Sequence, residues 1–261
     1  MAKAKKKKAV KAEADDTQTS VVSRRTRYFR KIIRFVCAFV AILLLVPAFL
    51  LILYRIEVVH PISTLMIEQA VVGHGAKREW VEIDDVAPVL YQSVLMSEDG
   101  KFCAHNGVDW ESLNSVIEDA IDGRKTRGAS TITMQLVKNL FLWPNRSYVR
   151  KALEIPYALM AELILSKRRI MEIYLNIAEW DKGVFGAQLA AKTYFKRSAA
   201  KVGPRQSSLL AVTLPNPRGR NAARPGKSMN RIAKIVQKRA RAPSDCGPHV
   251  CNNSHDIVAR Q

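Results

Sequence analysis

An acidic pair, Glu98 and Asp99, follows an apolar run that includes Leu95, and Gly100 comes directly after it. This order predicts two carboxyl groups at a turn beside a packed core. A carboxylate against an apolar wall has a raised pKa, because burial disfavours its charged form. Such a group can move protons near neutral pH, as a general acid or base does. The alternative interpretation is an acidic turn at a helix end, with His105 as a structural histidine.

A second group of polar residues lies in the segment GASTITMQLVKN, residues 128–139. Ser130 follows a flexible glycine and is a good candidate for a helix N-cap. The positions that share one helical face at i, i+4 and i+7 are Thr131, Gln135 and Lys138. The opposite, apolar face carries Ile132, Leu136 and Leu140. A hydroxyl-rich helix start followed by a lysine can bind phosphate, although an ordinary amphipathic surface helix gives the same pattern.

Arg150 and Glu154 stand one helical turn apart in the next segment. As an exposed pair they would contribute only about 0.3–0.5 kcal/mol, and base before acid is the less favourable order. Pro156 is predicted to disturb this helix, because proline removes a backbone donor. Farther along, helical periodicity predicts structural core positions at Tyr174, Leu175, Tyr194 and Phe195.

The elements that position these residues are predicted to be mainly helical, because apolar residues recur at a spacing near 3.6 and long strand alternation is missing. Asp84 or Asp85 is expected to cap a helix that runs through Leu95. Further helices are predicted at residues 109–121, 130–140, 147–165, 167–178, 184–195, 205–213 and 228–241. Residues 80–83 are expected to be extended. About 160 residues, 80–241, suffice to bury one compact core.

Residues 35–54 form a run of 20 residues without a charge, interrupted only by Pro47. At about 1.5 Å per residue, this run spans the hydrocarbon core of a bilayer. A cleaved signal peptide would have a shorter apolar region and a small-residue cleavage site. The sequence therefore predicts a transmembrane helix, and membrane helices tolerate proline.

Charge predicts the orientation of this helix. The chain has a net charge of +19, and residues 1–34 hold 12 Lys/Arg against 3 Asp/Glu. The positive flank stays in the cytoplasm, so everything after Tyr54 is expected to be exported. Residues 1–34 are interpreted as a basic cytoplasmic tail, 55–79 as a stalk or membrane-proximal segment, 80–241 as the functional domain and 242–261 as a flexible tail. A nucleic-acid-binding arm at residues 3–11 is the less favoured alternative to a tail near anionic lipid.

The four cysteines contain no CxxC pair and no zinc-like spacing. Cys37 lies in the apolar run and Cys103 stands alone. Cys246 and Cys251 flank a Gly-Pro turn in the tail. If the tail is in an oxidising compartment, a short disulfide between them and a pair of free thiols are equally consistent with the sequence.

The order and spacing of these motifs resemble the peptidoglycan glycosyltransferase family (glycosyltransferase family 51). The motifs are EDxxFxxHxG from residue 98, GASTITxQLxKN from 128, RKxxE from 150 and SKxxIxxxYLN from 166, followed by GVFG and AAxxYF. The resemblance covers roughly residues 60–220. It is nearest to the monofunctional biosynthetic transglycosylases, which have one membrane anchor and no penicillin-binding domain. No transpeptidase activity is expected, because nothing after residue 261 of this sequence would supply it.

The resemblance implies a mainly α, lysozyme-like glycosyltransferase domain after a single N-terminal transmembrane helix. It implies an enzyme that polymerises lipid II into β-1,4-linked glycan strands, with inversion and release of undecaprenyl diphosphate. By motif position, Glu98 matches the catalytic base and Glu154 the second essential glutamate. Lys138 and Arg150 match groups that bind the diphosphate. The residues that match the cleft lining are Asp99, Ser130 and Gln135.

The chemistry of this reaction agrees with those residue types. An α-linked donor gives a β-linked product, so a carboxylate must take the proton of the acceptor 4-hydroxyl, as in inverting glycosidases. The diphosphate leaves as an anion and needs cations more than a proton. Lys138 and Arg150 supply them, alone or together with a divalent cation such as Mg²⁺. No metal ligands are assigned.

The resemblance also implies a location and partners. The expected location is the bacterial inner membrane, in single-pass form, with a cytoplasmic N-terminus and a periplasmic catalytic domain. The expected partners are lipid II, the growing glycan chain, the membrane and other cell-wall synthesis or division proteins. No nucleic-acid partner is expected.

Three departures and two rival classes accompany this interpretation. Met134 replaces a more usual glutamine, Pro156 lies in a helix usually without proline, and residues 214–217 (LPNP) offer no lysine for a later motif. The first rival is a membrane-anchored lysozyme-like hydrolase, which would not need Lys138 and Arg150 for neutral sugars. The second is a non-enzymatic membrane scaffold, which would not depend on Glu98.

Overall fold

The computed structural model describes residues 2–73, 75–124, 128–145, 147–242, 246 and 250, with the backbone alone for residues 2–27. The chain divides into two compact units, Met1–Phe49 and Leu50–Gln261. Helix α1, Ala2–Tyr54, continues through Pro47 and includes the predicted basic tail. Its part Tyr28–Tyr54 is long and apolar enough to cross a membrane and is mostly exposed. This part agrees with the predicted single N-terminal membrane anchor.

The second unit is mainly helical, which confirms the predicted class. Its helices are α2 (Thr64–Val71), α3 (Pro88–Glu98), α4 (Trp110–Ile121), α5 (Ile132–Phe141), α6 (Tyr148–Ile164), α7 (Lys167–Ile177), α8 (Ala187–Phe195), α9 (Pro204–Thr213) and α10 (Lys227–Arg239). A small sheet contains β1 (Lys77–Arg78), β2 (Glu179–Asp181) and β3 (Val184–Phe185). Strand β3 lies in the centre, parallel to β1 and antiparallel to β2.

Residues 55–79, predicted to be a stalk or membrane-proximal segment, belong to the second compact unit. Helix α2 packs against α5, and Thr64 Oγ1 donates to the carbonyl of Leu142 at 2.6 Å. Strand β1 adds an edge to β3. A two-residue strand and an eight-residue helix carry too little periodicity to be recognised from the sequence.

The other predicted helices agree with the structure within about two residues, except at two starts. Asp84 and Asp85 lie in a 3-10 turn, Ile83–Asp85, and do not cap α3. Helix α3 begins at Pro88, because the fixed φ of proline suits a first turn. Helix α8 begins at Ala187 because Val184–Phe185 is taken by β3, and Gly186 turns the chain with a φ of 85°.

Helices α5 and α6 also differ in detail from expectation. Thr131, and not Ser130, caps α5, since its side chain accepts from the Met134 amide. Helix α6 continues through Pro156, so the predicted disturbance does not occur. Proline leaves the carbonyl of Ala152 without its helical donor, but Ala152 and Pro156 are both exposed, and water can reach that side.

The core of the domain contains the predicted aromatic positions. Tyr174, Leu175 and Tyr194 are buried, and Phe195 packs half-buried against the same cluster. Met134 is fully buried in it as well. The more usual glutamine is thus replaced by an apolar residue that faces the core.

The C-terminal segment is attached to the domain by a disulfide between Cys103 and Cys246. Cys246 and Val250 are buried. Two positions of the predicted flexible tail are therefore packed against the domain. Cys246 pairs with Cys103, so neither alternative left open for it, a bond to Cys251 or a free thiol, describes it. Residues 251–261 lie outside the described part. The bonded cysteines are 143 positions apart, a separation that no local pattern indicates.

Candidate active site

A cavity of about 520 Å³ opens where α5 and α6 pack together. Its lining consists of Ser130, Gln135, Lys138, Ser147, Tyr148, Arg150, Lys151 and Glu154. Five of the predicted site residues are therefore together in one cavity wall. The remaining two, Glu98 and Asp99, are not part of this lining.

Glu154 lies in the cavity wall and is only 2% exposed. Arg150 Nη1 donates to its Oε1, and Lys151 Nζ donates to its Oε2 at 2.7 Å. A buried carboxylate is costly unless cations compensate its charge, and here two cations do. Lys151 Nζ also donates to Ser130 Oγ at 2.6 Å. Glu154 therefore fixes two cationic side chains at the cavity wall.

The first turn of α6 holds Arg150 in place. Ser147 caps the helix by accepting from the Arg150 backbone amide. Arg150 Nε donates to the carbonyl of Asn145 at 2.9 Å. With these contacts and Glu154, the guanidinium is held in one orientation, and Arg150 is 9% exposed.

Lys138 differs from the other two cations. Within the described part of the chain, its ammonium makes no hydrogen bond or ion pair. Burial lowers the pKa of Lys138, Glu154 opposes this decrease, and the nearby Arg150 and Lys151 add to it. A half-buried cation without a partner favours the entry of an anion. The cavity has three cations and one carboxylate, and hence a net charge of two positive.

Glu98 is the last residue of α3 and lies beside this cavity. Its Oε2 accepts from Gln135 Nε2 at 3.3 Å, and its Oε1 accepts from Ser97 Oγ at 3.1 Å. Tyr174 donates its hydroxyl to Gln135 Oε1 at 3.0 Å, which fixes the amide orientation. Burial raises the pKa of the Glu98 carboxyl, and the bonds from Gln135 and Ser97 oppose this increase. The direction of the shift is the predicted one.

Asp99 is buried beneath the site. Its carboxylate contacts His105 Nε2 at 3.0 Å and accepts from the Ile132 backbone amide at 2.9 Å. Asp99 therefore connects the end of α3 to the start of α5, where an acidic group is favoured by the helix dipole. Its predicted role in contacting substrate stays a prediction.

The loop after Asp99 is held by several further contacts. Thr131 Oγ1 donates to the carbonyl of Gly107 at 2.6 Å, and Lys167 Nζ donates to the carbonyl of His105 at 2.7 Å. Gly107 has a φ of +85°, and a Cβ there would lie 2.7 Å from the carbonyl oxygen of Ala158. This position therefore requires glycine, because a side chain would be both strained and overlapping.

Sequence reasoning missed two important side chains. Lys151 lies in the RKxxE motif but received no role, although its position three residues before Glu154 permits an ion pair on a helix. Tyr174 was interpreted as core only; it is core, yet its hydroxyl reaches Gln135. Thr131 was placed on the polar face of α5, but it is buried and caps the helix instead.

The carboxylates of the site do not fit a Mg²⁺ cage made by the protein. The described residues contain no cluster of three or more His, Cys, Asp or Glu suited to a metal. Both Glu154 oxygens accept from cations, and both Glu98 oxygens accept from neutral donors. The expectation of a divalent cation stays a prediction, and no step is derived through it.

Comparisons with known proteins agree on one family. Residues 65–241 match the family described as Transglycosylase. The chain is 57% identical to a biosynthetic peptidoglycan transglycosylase of Brucella suis over 209 residues, which cover 80% of this chain and 92% of the relative. A relative of the same name from Rhizobium meliloti is 56% identical, with 76% and 84% covered. One from Mesorhizobium japonicum is 51% identical, with 86% and 94% covered.

The family match starts at residue 65, inside the segment that was predicted as a stalk, in agreement with the packing of this segment against the domain. They also confirm the lysozyme-like glycosyltransferase fold that the motifs indicated. This chain belongs to the peptidoglycan transglycosylase family and is a glycosyl-transferring enzyme.

Proposed function

We propose that this enzyme polymerises lipid II into β-1,4-linked peptidoglycan strands, with Glu98 as general base and the cation-lined cavity as the site of the donor diphosphate. Three relatives of the same name support the reaction class. The reaction breaks the bond between C1 of the donor sugar and its diphosphate oxygen. A bond forms between C1 and the 4-oxygen of the acceptor, and the acceptor proton passes to the Glu98 carboxylate.

The observation that carries this proposal is the position of Gln135 and Lys138 on one face of α5. Gln135 donates to Glu98, and Lys138, three residues along, lines the cavity. A proton acceptor and an anion site are therefore neighbours, as an inverting displacement of a diphosphate requires.

The charges in the cavity match the leaving group. A diphosphate joined to two esters carries two negative charges, and the cavity has a net charge of two positive. Lys138 supplies an unpaired cation, while Arg150 and Lys151 are held by Glu154. In this proposal Glu154 acts as a positioning residue for those two cations, and Ser130 orients Lys151.

The proposed location follows from the anchor and its flanks. The N-terminus lies in the cytoplasm and the catalytic domain on the periplasmic face of the bacterial inner membrane, where the proposed substrates are also lipid-anchored. The growing glycan chain is the second substrate. Other cell-wall synthesis or division proteins are proposed partners, and Mg²⁺ would bind through substrate phosphate oxygens.

The direct test is to incubate the purified full chain with fluorescent lipid II in detergent and to separate products by size. The proposal expects polymer that a muramidase digests to the disaccharide unit. Polymer that the enzyme shortens, with no growth from lipid II, would instead identify a hydrolase. Absence of both reactions in a folded, lipid II-binding protein would support the scaffold.

A further inference from the structure

A basic surface lies on α10, outside the cavity. Residues 218–241 contain nine Lys or Arg and no Asp or Glu. Helix α10 buries one apolar face, formed by Met229, Ala233 and Val236. The exposed face carries cations at i, i+4, i+7 and i+11, namely Lys227, Arg231, Lys234 and Lys238. At 1.5 Å per residue this basic stripe is about 16 Å long.

The described residues do not neutralise the basic stripe. Of the nine cations in residues 218–241, Arg218 pairs with Glu179, and within the described residues none of the four stripe cations forms an ion pair. Like charges one turn apart, such as Lys227 and Arg231, destabilise a helix. The arrangement therefore has a cost that no described residue compensates, as expected of a surface that binds an external anion.

The residues that follow the membrane span are part of the domain. Arg169 donates to the carbonyls of Tyr54 at 2.7 Å, Ile56 at 3.0 Å and Val59 at 2.7 Å. Since Arg169 belongs to α7, the residues that follow the span are bonded directly to the domain.

An apolar side chain accompanies the basic stripe. Ile235 lies between Arg231 and Lys238 and is 48% exposed. At a bilayer interface, cations contact headgroup phosphates while an apolar side chain enters the acyl boundary. A soluble carboxylate-bearing polymer would gain little from Ile235. The combination therefore favours a lipid surface over the glycan product as the partner.

We infer that α10 is a docking surface for anionic phospholipid headgroups. Attraction of this kind acts within a Debye length, about 8 Å at physiological ionic strength, so it requires direct apposition. It would hold the domain in one orientation relative to the membrane. The inference does not depend on the polymerisation chemistry.

The test is lysine footprinting of the full chain in nanodiscs, with an amine-reactive reagent and mass spectrometry. One set of nanodiscs contains phosphatidylcholine alone, and the other contains phosphatidylglycerol in addition. Lys227, Lys234 and Lys238 should react at least threefold more slowly in the anionic discs, and high salt should remove the difference, because surface charges are screened. Lys182 and Lys201, exposed elsewhere, serve as internal controls.

A charge-reversal variant provides the second measurement. The triple variant Arg231→Glu, Lys234→Glu, Lys238→Glu should lose the protection of Lys227, whereas the matched triple Lys182→Glu, Arg197→Glu, Lys201→Glu should keep it. Equal labelling of the stripe lysines in both kinds of disc would overturn the inference. Protection that appears only when glycan polymer is added, in either lipid, would also overturn it and identify the product strand as the partner.

Discussion

Gln135 donates its side-chain amide to Glu98 over 3.3 Å, and this contact joins the end of α3 to the face of α5 that lines the cation-rich cavity. The bond lowers the pKa of Glu98 and so opposes the increase that burial causes. The basicity of Glu98 is therefore set by two opposing effects that mutation can separate.

Gln135→Ala removes the opposing effect. The pKa of Glu98 should increase further, and since a general base must be deprotonated, the acid limb of the rate–pH profile should move to higher pH. Near neutral pH the variant should be slower, with partial recovery at alkaline pH. Initial polymerisation rates across pH measure this. An acid limb at the wild-type position would show that Gln135 does not tune the base.

Lys138→Met separates binding from stability. Loss of a charge-assisted contact to the diphosphate should reduce kcat/KM about tenfold to a hundredfold. The melting temperature should stay equal or rise, because burial already disfavours this cation. Lys182→Met, an exposed control, should change neither quantity. A Lys138→Met enzyme with a kcat/KM near wild type would show that this lysine does not contribute to the anion site.

Arg150→Ala should lower both activity and stability, because it leaves the buried Glu154 with Lys151 alone. Breaking a buried ion pair costs about 3–5 kcal/mol. The double variant Arg150→Ala, Glu154→Gln should recover much of the melting temperature, since no buried charge remains, but not the polymerisation rate. Recovery of activity in the double variant would contradict a binding role for Arg150.

Cys103→Ser should lower the melting temperature by about 5–15 °C, because a disulfide typically contributes about 2–4 kcal/mol in a domain of this size. Dithiothreitol should lower the melting temperature of the wild type by a similar amount and leave the variant unchanged. Cys251→Ser should behave as wild type. A reduced melting temperature for Cys251→Ser would indicate that Cys246 pairs with that residue instead.

Local sequence patterns were sufficient to predict most helices and the residues that converge on the cavity. Lys138 and Arg150 could be recognised as site residues because each belongs to a contiguous motif. The helical period places the polar residues of such a motif on one face of its helix. Contacts between distant segments could not be derived in this way. The packing of residues 55–79, the β2–β3 hairpin and the Cys103–Cys246 bond all depend on tertiary structure.

The roles of individual side chains also depend on tertiary contacts that local patterns do not show. Asp99 and Thr131 have residue types suited to a cleft, yet both are buried and bonded to backbone groups. Lys151 lacked a role because a helix carries many surface lysines, and only the burial of Glu154 distinguishes this one. Polarity indicates what a side chain can do, whereas burial and partners determine what it is free to do.

The central claim is that Glu98 accepts the acceptor proton, and Glu98→Gln tests it most directly. The substitution keeps the size of the side chain and its ability to receive the Ser97 and Gln135 hydrogen bonds, but glutamine cannot serve as the base. In single-turnover polymerisation of labelled lipid II at saturating substrate, the rate should fall about 10²–10⁴-fold. The Kd for a non-reactive lipid diphosphate analogue and the melting temperature should change little. A folded Glu98→Gln enzyme that binds the analogue and makes polymer at a rate near wild type would contradict the account and leave Glu154 as the first candidate for the base.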